Sequence, residues 1–173
     1  MALKHWRSVF ALVFGLIFCL TSGTAHAVLP KGSIAVLSKS ASAQEAAQVA
    51  SVFTRQLLAK GYKVVDPKKL DAIRRSKAAA LALDGNVDAI MKLSRQYGFS
   101  TMITAQVEAG SPVLNEFQLY TGTSSVAVMV TASNGSQIYA DTVAGKQVGY
   151  TPSEAKQKSL EAAAALAVKR MTE

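Results

Sequence analysis

The sequence has few of the side chains that carry out enzymatic chemistry. Of 173 residues, one is cysteine, one is tryptophan and two are histidine. All four lie in the first 27 residues, as His5, Trp6, Cys19 and His26. Residues 28–173 therefore have no thiolate nucleophile, no imidazole for general acid–base catalysis, and neither of the side chains that dominate zinc sites. They also cannot form a disulfide, so apolar packing must stabilise the fold.

The first 27 residues have the pattern of a secretory signal peptide. Lys4 and Arg7 precede an apolar run from Val9 to Leu20, and Ala25-His26-Ala27 follows as a small-x-small cleavage motif. The run is shorter than the roughly 20 residues of a membrane-spanning helix. We therefore predict cleavage after Ala27, with Ala25 and Ala27 as the recognition positions. An uncleaved signal anchor is the alternative.

Cleavage would leave one domain, residues 28–173, exported through the inner membrane, with the periplasm or the extracellular space as its destination and no stable membrane span. Without Lys4 and Arg7 the chain keeps 17 basic and 11 acidic residues, a net charge of +6. This charge favours anionic partners such as phospholipid, glycan or acidic protein. Nucleic acid is not an expected partner, because no basic–aromatic reading motif is present.

Hydrophobic periodicity and capping residues divide this domain into strands and helices. The predicted elements are a strand at 33–37, a helix at 42–60, a strand at 62–65, helices at 66–83 and 86–97, strands at 99–108, 117–133 and 137–148, and a helix from 151. Together they predict an α/β domain with a mixed sheet of about five strands in the order β-α-β-α-α-β-β-β-α. A helix connects the first two strands, which should therefore be parallel.

Several local motifs support these boundaries. Ser42 to Glu45 and Thr151 to Glu154 are capping boxes, and Asp66 and Asn86 are N-caps. Asn134-Gly135 predicts a two-residue hairpin turn with positive φ at both positions. The first helix is predicted to bury one stripe, composed of Ala43, Ala46, Ala47, Ala50, Phe53, Leu57 and Leu58.

Four segments carry a resemblance to known envelope proteins. They are Ile34-Ala35-Val36-Leu37, Gly61-Tyr62-Lys63-Val64-Val65-Asp66 followed by Leu70 and Ile73, Ala89 to Gly98 leading into the strand Phe99 to Val107, and the strand pair around Asn134-Gly135 with the alanine-rich carboxy-terminal helix after it. In this order they resemble the small α/β domain shared by the amino-terminal part of TolB, the curli secretion protein CsgG, the penicillin-binding-protein activator LpoB and the middle domain of flagellar assembly protein T. The resemblance covers nearly all of residues 33–172.

What the resemblance implies is a cell-envelope accessory domain that docks onto other envelope proteins and has no active site or cofactor. CsgG and LpoB carry a lipid-modified cysteine that this sequence lacks, and TolB continues into a propeller. The partners of those proteins are therefore not transferred to this chain. The leading hypothesis is a non-enzymatic envelope adaptor that binds protein, with the identity of its partner and its oligomeric state left open.

The second hypothesis is a basic binding module for an anionic polymer, glycan or lipid surface. It depends on a cluster of Lys68, Lys69, Arg74, Arg75 and Lys77, all predicted on the helix after Asp66. Such a cluster is a possible interaction surface. The alternative, and the more frequent origin of such a cluster, is the solvated face of an amphipathic helix.

The third hypothesis is a hydrolase. Ser153-Glu154-Ala155-Lys156 matches the Ser-x-x-Lys motif of penicillin-interacting enzymes, but the Ser-Asp-Asn and Lys-Thr-Gly elements of those enzymes are absent. Carboxylates that could pair as acid and base are explained as helix caps or solvated charges; they are Asp66, Asp84, Asp88, Glu108 and Glu116. Three tyrosines of the strand region, Tyr120, Tyr139 and Tyr150, are candidates to line a pocket or an interface.

Overall fold

The structure is a computed structural model that describes residues 29–173. The predicted signal peptide, including Ala25 and Ala27, lies outside the described residues, and its cleavage stays a prediction. The strands are β1 (Ser33–Lys39), β2 (Lys63–Val64), β3 (Thr101–Ala109), β4 (Val113–Leu114), β5 (Tyr120–Ala132) and β6 (Gln137–Gly149). The helices are α1 (Ala43–Ala59), α2 (Pro67–Arg74), α3 (Lys77–Leu83), α4 (Val87–Tyr97) and α5 (Pro152–Thr172).

The predicted fold class and element order are confirmed. One mixed sheet runs in the order β2, β1, β3, β5 and β6, and β4 pairs with β5 beyond the end of β3. β1 is parallel to β2, as predicted, and also to β3, whereas β5 is antiparallel to β3 and β6. In the part of the chain that the structure describes, none of the helices combines the length and hydrophobicity of a membrane span.

The sheet separates two apolar cores. Ile34 and Val36 of β1 face the first core, which α1 and α5 cover, while Ala35 and Leu37 face the second, which α2, α3 and α4 cover. This alternation explains why β1 is apolar from Ile34 to Leu37, since both faces of the strand are buried there. β3 is also buried on both faces over its first five residues, so Met102 and Thr104 are buried together with Thr101, Ile103 and Ala105.

Three glycines let α5 lie directly on the sheet. A Cβ atom at Gly122 or Gly149 would collide with the backbone of Ala155, and one at Gly145 would collide with the Ser159 carbonyl oxygen and the Ala163 nitrogen. The facing surface of α5 is correspondingly small, with buried Ala155, Ser159 and Ala163. Small residues on both sides therefore set the distance between this helix and the sheet.

The start of α1 differs from the prediction. Ser42 is the N-cap residue, but its side chain makes no capping hydrogen bond, so the predicted capping box is wrong. Glu45 instead accepts a hydrogen bond from Ser40 Oγ (2.8 Å) and pairs with Lys156 Nζ (3.2 Å). Leu58 was predicted to point inward and is 54 % exposed. At 3.6 residues per turn it lies about 140° around the helix from buried Phe53.

The first middle helix is divided in two at Ser76. The Ser76 hydroxyl accepts from the Ala79 N–H (3.2 Å) and donates to the Ile73 carbonyl (2.7 Å), which ends α2 and begins α3. The prediction that all five basic residues lie on one helix is therefore wrong. α2 carries Lys68, Lys69 and Arg74, Arg75 is the C-cap residue of α2, and Lys77 begins α3.

The β5–β6 turn has positive φ at only one position. Gly135 has φ of 90°, and Gln118 is the sole non-glycine residue with positive φ within residues 29–173, so the expectation for Asn134 is wrong. The Gly135 N–H donates to the Ala132 carbonyl (2.9 Å), while Asn134 Oδ1 accepts from the Ser136 N–H (3.0 Å). This longer loop accompanies a register shift between Val130 and Thr131.

Candidate functional site

Half of one sheet face has little helical cover. Helices α2, α3 and α4 pack on β1 and β3, so β5 and β6 present the same face to solvent. We call this surface the open sheet face; its central residues are Gln106, Glu108, Ser125, Ala127, Thr142 and Ala144. A shallow groove of about 430 Å³ borders it where the loop after α3 reaches Ala127 and Thr142.

Exposed apolar residues gather at one end of this sheet. We call them the end patch: Val113, Leu114, Phe117, Val148 and Tyr150. They make up five of the eight large apolar side chains exposed among residues 29–173. The other three, Leu58, Leu81 and Val87, lie separately on α1, α3 and α4. Single exposed apolar residues are ordinary, but several at one end of a sheet make that end a candidate binding surface.

Strand register brings the end patch together. Val113 and Val148 both pair with Thr121, one from each side, so the two valines share a face and bracket Thr121. Thr121 points away from α5, because its neighbour Gly122 is the residue on which α5 rests. The valines therefore extend the open sheet face to its end. Leu114 pairs with Tyr120 on the opposite face.

The hairpin between β4 and β5 is held by one asparagine. Asn115 Oδ1 accepts from the N–H groups of Phe117 (3.0 Å) and Leu119 (3.1 Å), and Asn115 Nδ2 donates to Thr121 Oγ1 (3.3 Å). The backbone N–H of Asn115 also donates to the Leu119 carbonyl (2.8 Å). These bonds hold Phe117 at the tip, where it is 74 % exposed.

The start of α5 fixes the other aromatic residue of the patch. Thr151 Oγ1 accepts from the Glu154 N–H (3.1 Å), which is the first bond of the predicted capping box. The second bond runs from the Tyr150 N–H to Glu154 Oε2 (2.8 Å), so its donor is the residue before the N-cap rather than the N-cap residue itself. Hydrogen bonding to Lys158 and to the Tyr150 N–H lowers the pKa of Glu154. The Tyr150 backbone is thereby held while its side chain stays 79 % exposed.

The other two candidate tyrosines differ from Tyr150. Tyr120 is half-buried beside Leu114. Tyr139 is half-buried under α5, where its hydroxyl donates to Asp141 Oδ2 (3.0 Å), and Arg170 Nη1 donates to the same oxygen (3.0 Å). Burial and the Asp141 carboxylate raise the pKa of Tyr139 to about 12. This group joins β6 to α5 rather than lining an interface.

The predicted basic cluster is exposed and spread over two helices. Arg74 pairs with Asp71 (3.3 Å), and the Lys68 backbone N–H donates to the Asp66 cap (2.9 Å). Lys69, Arg75 and Lys77 are exposed. None of the five belongs to the end patch, and their role as an interaction surface stays a prediction.

The residues of the hydrolase hypothesis do not form a recognisable catalytic group. Lys156 Nζ pairs with Glu45 on α1, and Ser153 is exposed in the first turn of α5. Asp84 pairs with Lys39 (2.7 Å), Asp66 caps α2, and Asp88 lies in the first turn of α4. Within the described range, no group of three or more His, Cys, Asp and Glu residues is placed to hold a metal ion.

Sequence analysis did not identify the end patch. Its valines lie in ordinary strand-like segments, and their exposure depends on how β4 and β6 pair with β5. β5 was predicted from residue 117 but begins at Tyr120, which places Phe117 in the turn instead. Asn115 was the residue from which a turn at Phe117 could have been predicted, since an asparagine side chain in a turn commonly accepts a hydrogen bond from the backbone N–H two residues further on.

The fold and the patch together define a class: a small three-layer α/β domain with exposed apolar residues at one end of its sheet. No protein-family model and no curated protein matches the sequence. The structure is similar to the lipoprotein GNA1162 from Neisseria meningitidis, with a TM-score of 0.55, 17% identity and coverage of 70% of this chain and 86% of that chain. At this identity the similarity concerns the fold alone.

Two further structures align less closely. PelC from Paraburkholderia phytofirmans, a dodecamer, gives a TM-score of 0.45 at 11% identity over 80% of this chain and 90% of that chain. The LpoB C-terminal domain from Salmonella enterica gives 0.39 at 13% identity over 72% and 86%. The resemblance to TolB, CsgG and flagellar assembly protein T stays a prediction.

Proposed function

We propose that this protein is a non-enzymatic accessory or adaptor protein of the cell envelope that binds another envelope protein through the end patch. The observation that carries the proposal is the exposure of Phe117 and Tyr150, whose backbone N–H groups are hydrogen-bonded to side chains, at the end of the sheet where Val113 and Val148 share a face. Aromatic residues are enriched in protein interfaces and among the residues that dominate binding energy.

Pre-organisation supports the same proposal. The three side-chain hydrogen bonds of Asn115 fix the hairpin before a partner arrives, so little conformational entropy remains to be lost on binding. Beyond Lys146, the β5 and β6 part of the open sheet face carries small side chains, including Ser125, Ala127, Thr142 and Ala144, which offer a partner an extension of the contact. A specific interface buries roughly 800 Å² on each side, so a partner is expected to contact the open sheet face as well as the five residues of the patch.

An envelope location is supported by two observations. The first 27 residues have the charge, apolar run and cleavage motif of a signal peptide. The fold neighbour with the TM-score of 0.55 is itself a lipoprotein. The absence of histidine and cysteine from residues 28–173 favours binding over catalysis.

Site-specific photo-cross-linking in intact cells tests this function. A photoreactive amino acid at position 117 should give one reproducible protein adduct in the envelope fraction, and a Val148 replacement should capture the same partner. The matched control is Leu81, which is also exposed (52 %) but lies on α3, and should give no adduct.

The adduct at position 117 should weaken when Tyr150→Ser is added, because both residues belong to one surface. Equal adducts at positions 81 and 117, or an adduct unaffected by Tyr150→Ser, would show that the end patch does not select the partner. Absence of any adduct from a folded, exported protein would contradict the adaptor function itself.

A further inference from the structure

A second surface, far from the end patch in sequence, combines three lysines with an apolar floor. A cleft of about 610 Å³ lies where the chain enters β1 and where α1 turns into β2. Leu29 and Tyr62 provide its apolar lining, and Lys31, Lys60 and Lys63 provide its charge. All three lysines are exposed, whereas Leu29 is 2 % exposed and packs in the first core.

The local fold explains why these lysines converge. The last carbonyls of α1 are occupied by the backbone, since Lys60, Gly61 and Tyr62 donate to Gln56, Leu58 and Leu57 respectively. Gly61 has φ of 82°, which turns the chain sharply into β2 and places Lys60 and Lys63 on either side of the turn. The lysine side chains are therefore not needed to cap the helix.

The charge of the cleft is uncompensated. No carboxylate lines it, and none of the three lysines forms an ion pair within residues 29–173. The two clefts that contain Lys156 differ in this respect, because both also contain Glu45. An anion is the ligand that this arrangement fits, and the apolar floor fits a ligand with an apolar portion beside its charge.

The position of the cleft indicates which anion it meets. Leu29 is the first described residue, and only residues 21–28 separate it from the apolar run at 9–20. Even fully extended, that connection spans at most about 30 Å. During export, before the predicted cleavage after Ala27, the cleft would therefore lie within about 30 Å of the membrane that holds the apolar run. After cleavage, the charge and the apolar lining of the cleft are what attract it to the membrane. Lysines near an anionic bilayer each add to its attraction, and tyrosine is favoured at the bilayer interface.

We propose that Lys31, Lys60 and Lys63, with Leu29 and Tyr62, form a binding site for the headgroup region of anionic phospholipid. The site orients the amino-terminal end of the domain toward the membrane. It differs from the basic residues of α2 and α3, which lie on other elements. Arg74 of α2 also lines a cleft with apolar residues, but its charge is paired with Asp71. It is also independent of the end patch, so the two surfaces are available at the same time.

Vesicle co-sedimentation tests the site with the exported protein as recovered from cells. The protein should bind vesicles that contain phosphatidylglycerol and not vesicles of phosphatidylcholine alone, and binding should weaken as salt is raised. The triple variant Lys31→Gln/Lys60→Gln/Lys63→Gln should lose affinity by roughly tenfold or more. The matched control Lys68→Gln/Lys69→Gln/Lys77→Gln has the same net charge and should stay within about twofold of the wild type.

Three results would overturn the proposal. An equal loss in both triple variants would show attraction through net charge alone, and no binding to phosphatidylglycerol would remove the site. Loss of binding in Phe117→Ser would assign the contact to the end patch instead. If the triple variant unfolds, the single variants Lys31→Gln and Lys60→Gln should each weaken binding by roughly two- to fivefold. Unchanged affinity in both single variants would count against the site in the same way.

Discussion

At the scale of single residues, Asp141 and Arg170 connect the edge strand to the carboxy-terminal helix. The Arg170 guanidinium is the main cause of a lowered Asp141 pKa, and the Tyr139 hydroxyl and the Thr142 N–H add to it. Asp141 lies on β6 and Arg170 lies on α5, 29 positions later in the sequence. Their hydrogen bond therefore connects the helix to the strand on which it packs. Their side chains are 51% and 31% exposed, which limits the energy of the pair through solvent screening.

We expect Arg170→Gln to lower the free energy of unfolding by at most about 1 kcal/mol at neutral pH. The pKa of Asp141 is lower in the folded state than in the unfolded state, where it is near 3.8. The ionised Asp141 carboxylate therefore stabilises the fold at pH values above 3.8, and this stabilisation is lost as the pH falls through the pKa of the folded state. Urea unfolding at neutral pH and at about pH 2 measures this difference. Lys169→Gln, the exposed neighbour, is the control. A destabilisation that persists undiminished at acid pH would show that Arg170 acts through packing instead.

Local side-chain chemistry at individual positions was largely predictable from the sequence. Asp66, Asn86 and Thr151 accept from backbone N–H groups two or three residues ahead, which depends on adjacent residues only. Ser42 was predicted by the same rule, but its side chain makes no capping hydrogen bond. The Glu45 carboxylate, which would return the second bond of a capping box, accepts instead from Ser40 and from Lys156, 111 positions away. A contact of that range cannot be read from a four-residue motif.

At the scale of elements, the contact between α5 and the β5–β6 pair depends on glycine. Gly145 is buried under α5, and a methyl group there would meet the Ser159 carbonyl oxygen and the Ala163 backbone nitrogen. Backbone atoms of a helix 21 residues long cannot move aside as a flexible side chain can. The helix must therefore shift as a whole, which disturbs the alanines that pack beside it.

Gly145→Ala should lower the free energy of unfolding by about 3 kcal/mol, the upper end of the usual effect of overpacking. Chemical denaturation measures the change, and Ala144→Ser on the exposed face of the same strand serves as the control, with an expected change below about 0.5 kcal/mol. A variant as stable as the wild type would show that α5 does not rest on the strand at this position.

The arrangement of the elements was less predictable than their identity. Short apolar runs and capping residues identified nine elements in the correct order. The division at Ser76 was not predictable, because it depends on hydrogen bonds of the Ser76 hydroxyl to Ile73 and Ala79, and a serine can also lie within a continuous helix without making such bonds. The end patch was missed for a related reason. Val113 and Val148 are brought together only by pairing on opposite sides of Thr121, and register is a property of three strands at once.

At the scale of the whole molecule, the two cores differ in how they are built. The first core combines α1 and α5, of 17 and 21 residues, with residues from β1, β3, β5 and β6. The second is covered partly by α2 and α3, of 8 and 7 residues. Isolated helices of that length are marginal in water, so α2 and α3 depend on the contacts of Leu70, Ile73, Ala79 and Ala82.

This difference predicts that α2 and α3 open before the rest of the domain unfolds. Amide hydrogen exchange measured on the native protein should give lower opening free energies for α2 and α3 than for β3, β5 and α5. Ile73 and Ile103 provide a matched pair of variants, since both are fully buried and each lies in a different core. Ile→Val at either position should lower the global free energy of unfolding by about 1 kcal/mol.

The two variants should separate in the exchange of α2 and α3. Ile73→Val should lower the opening free energy of these helices by the same amount as global stability, because their opening breaks the contacts of Ile73. Ile103→Val should leave it unchanged, because the contacts of Ile103 in the first core stay intact when α2 and α3 open. If Ile103→Val lowers the opening free energy of α2 and α3 as much as Ile73→Val does, the two cores unfold as one cooperative unit. In that case α2 and α3 do not open independently of the rest of the domain.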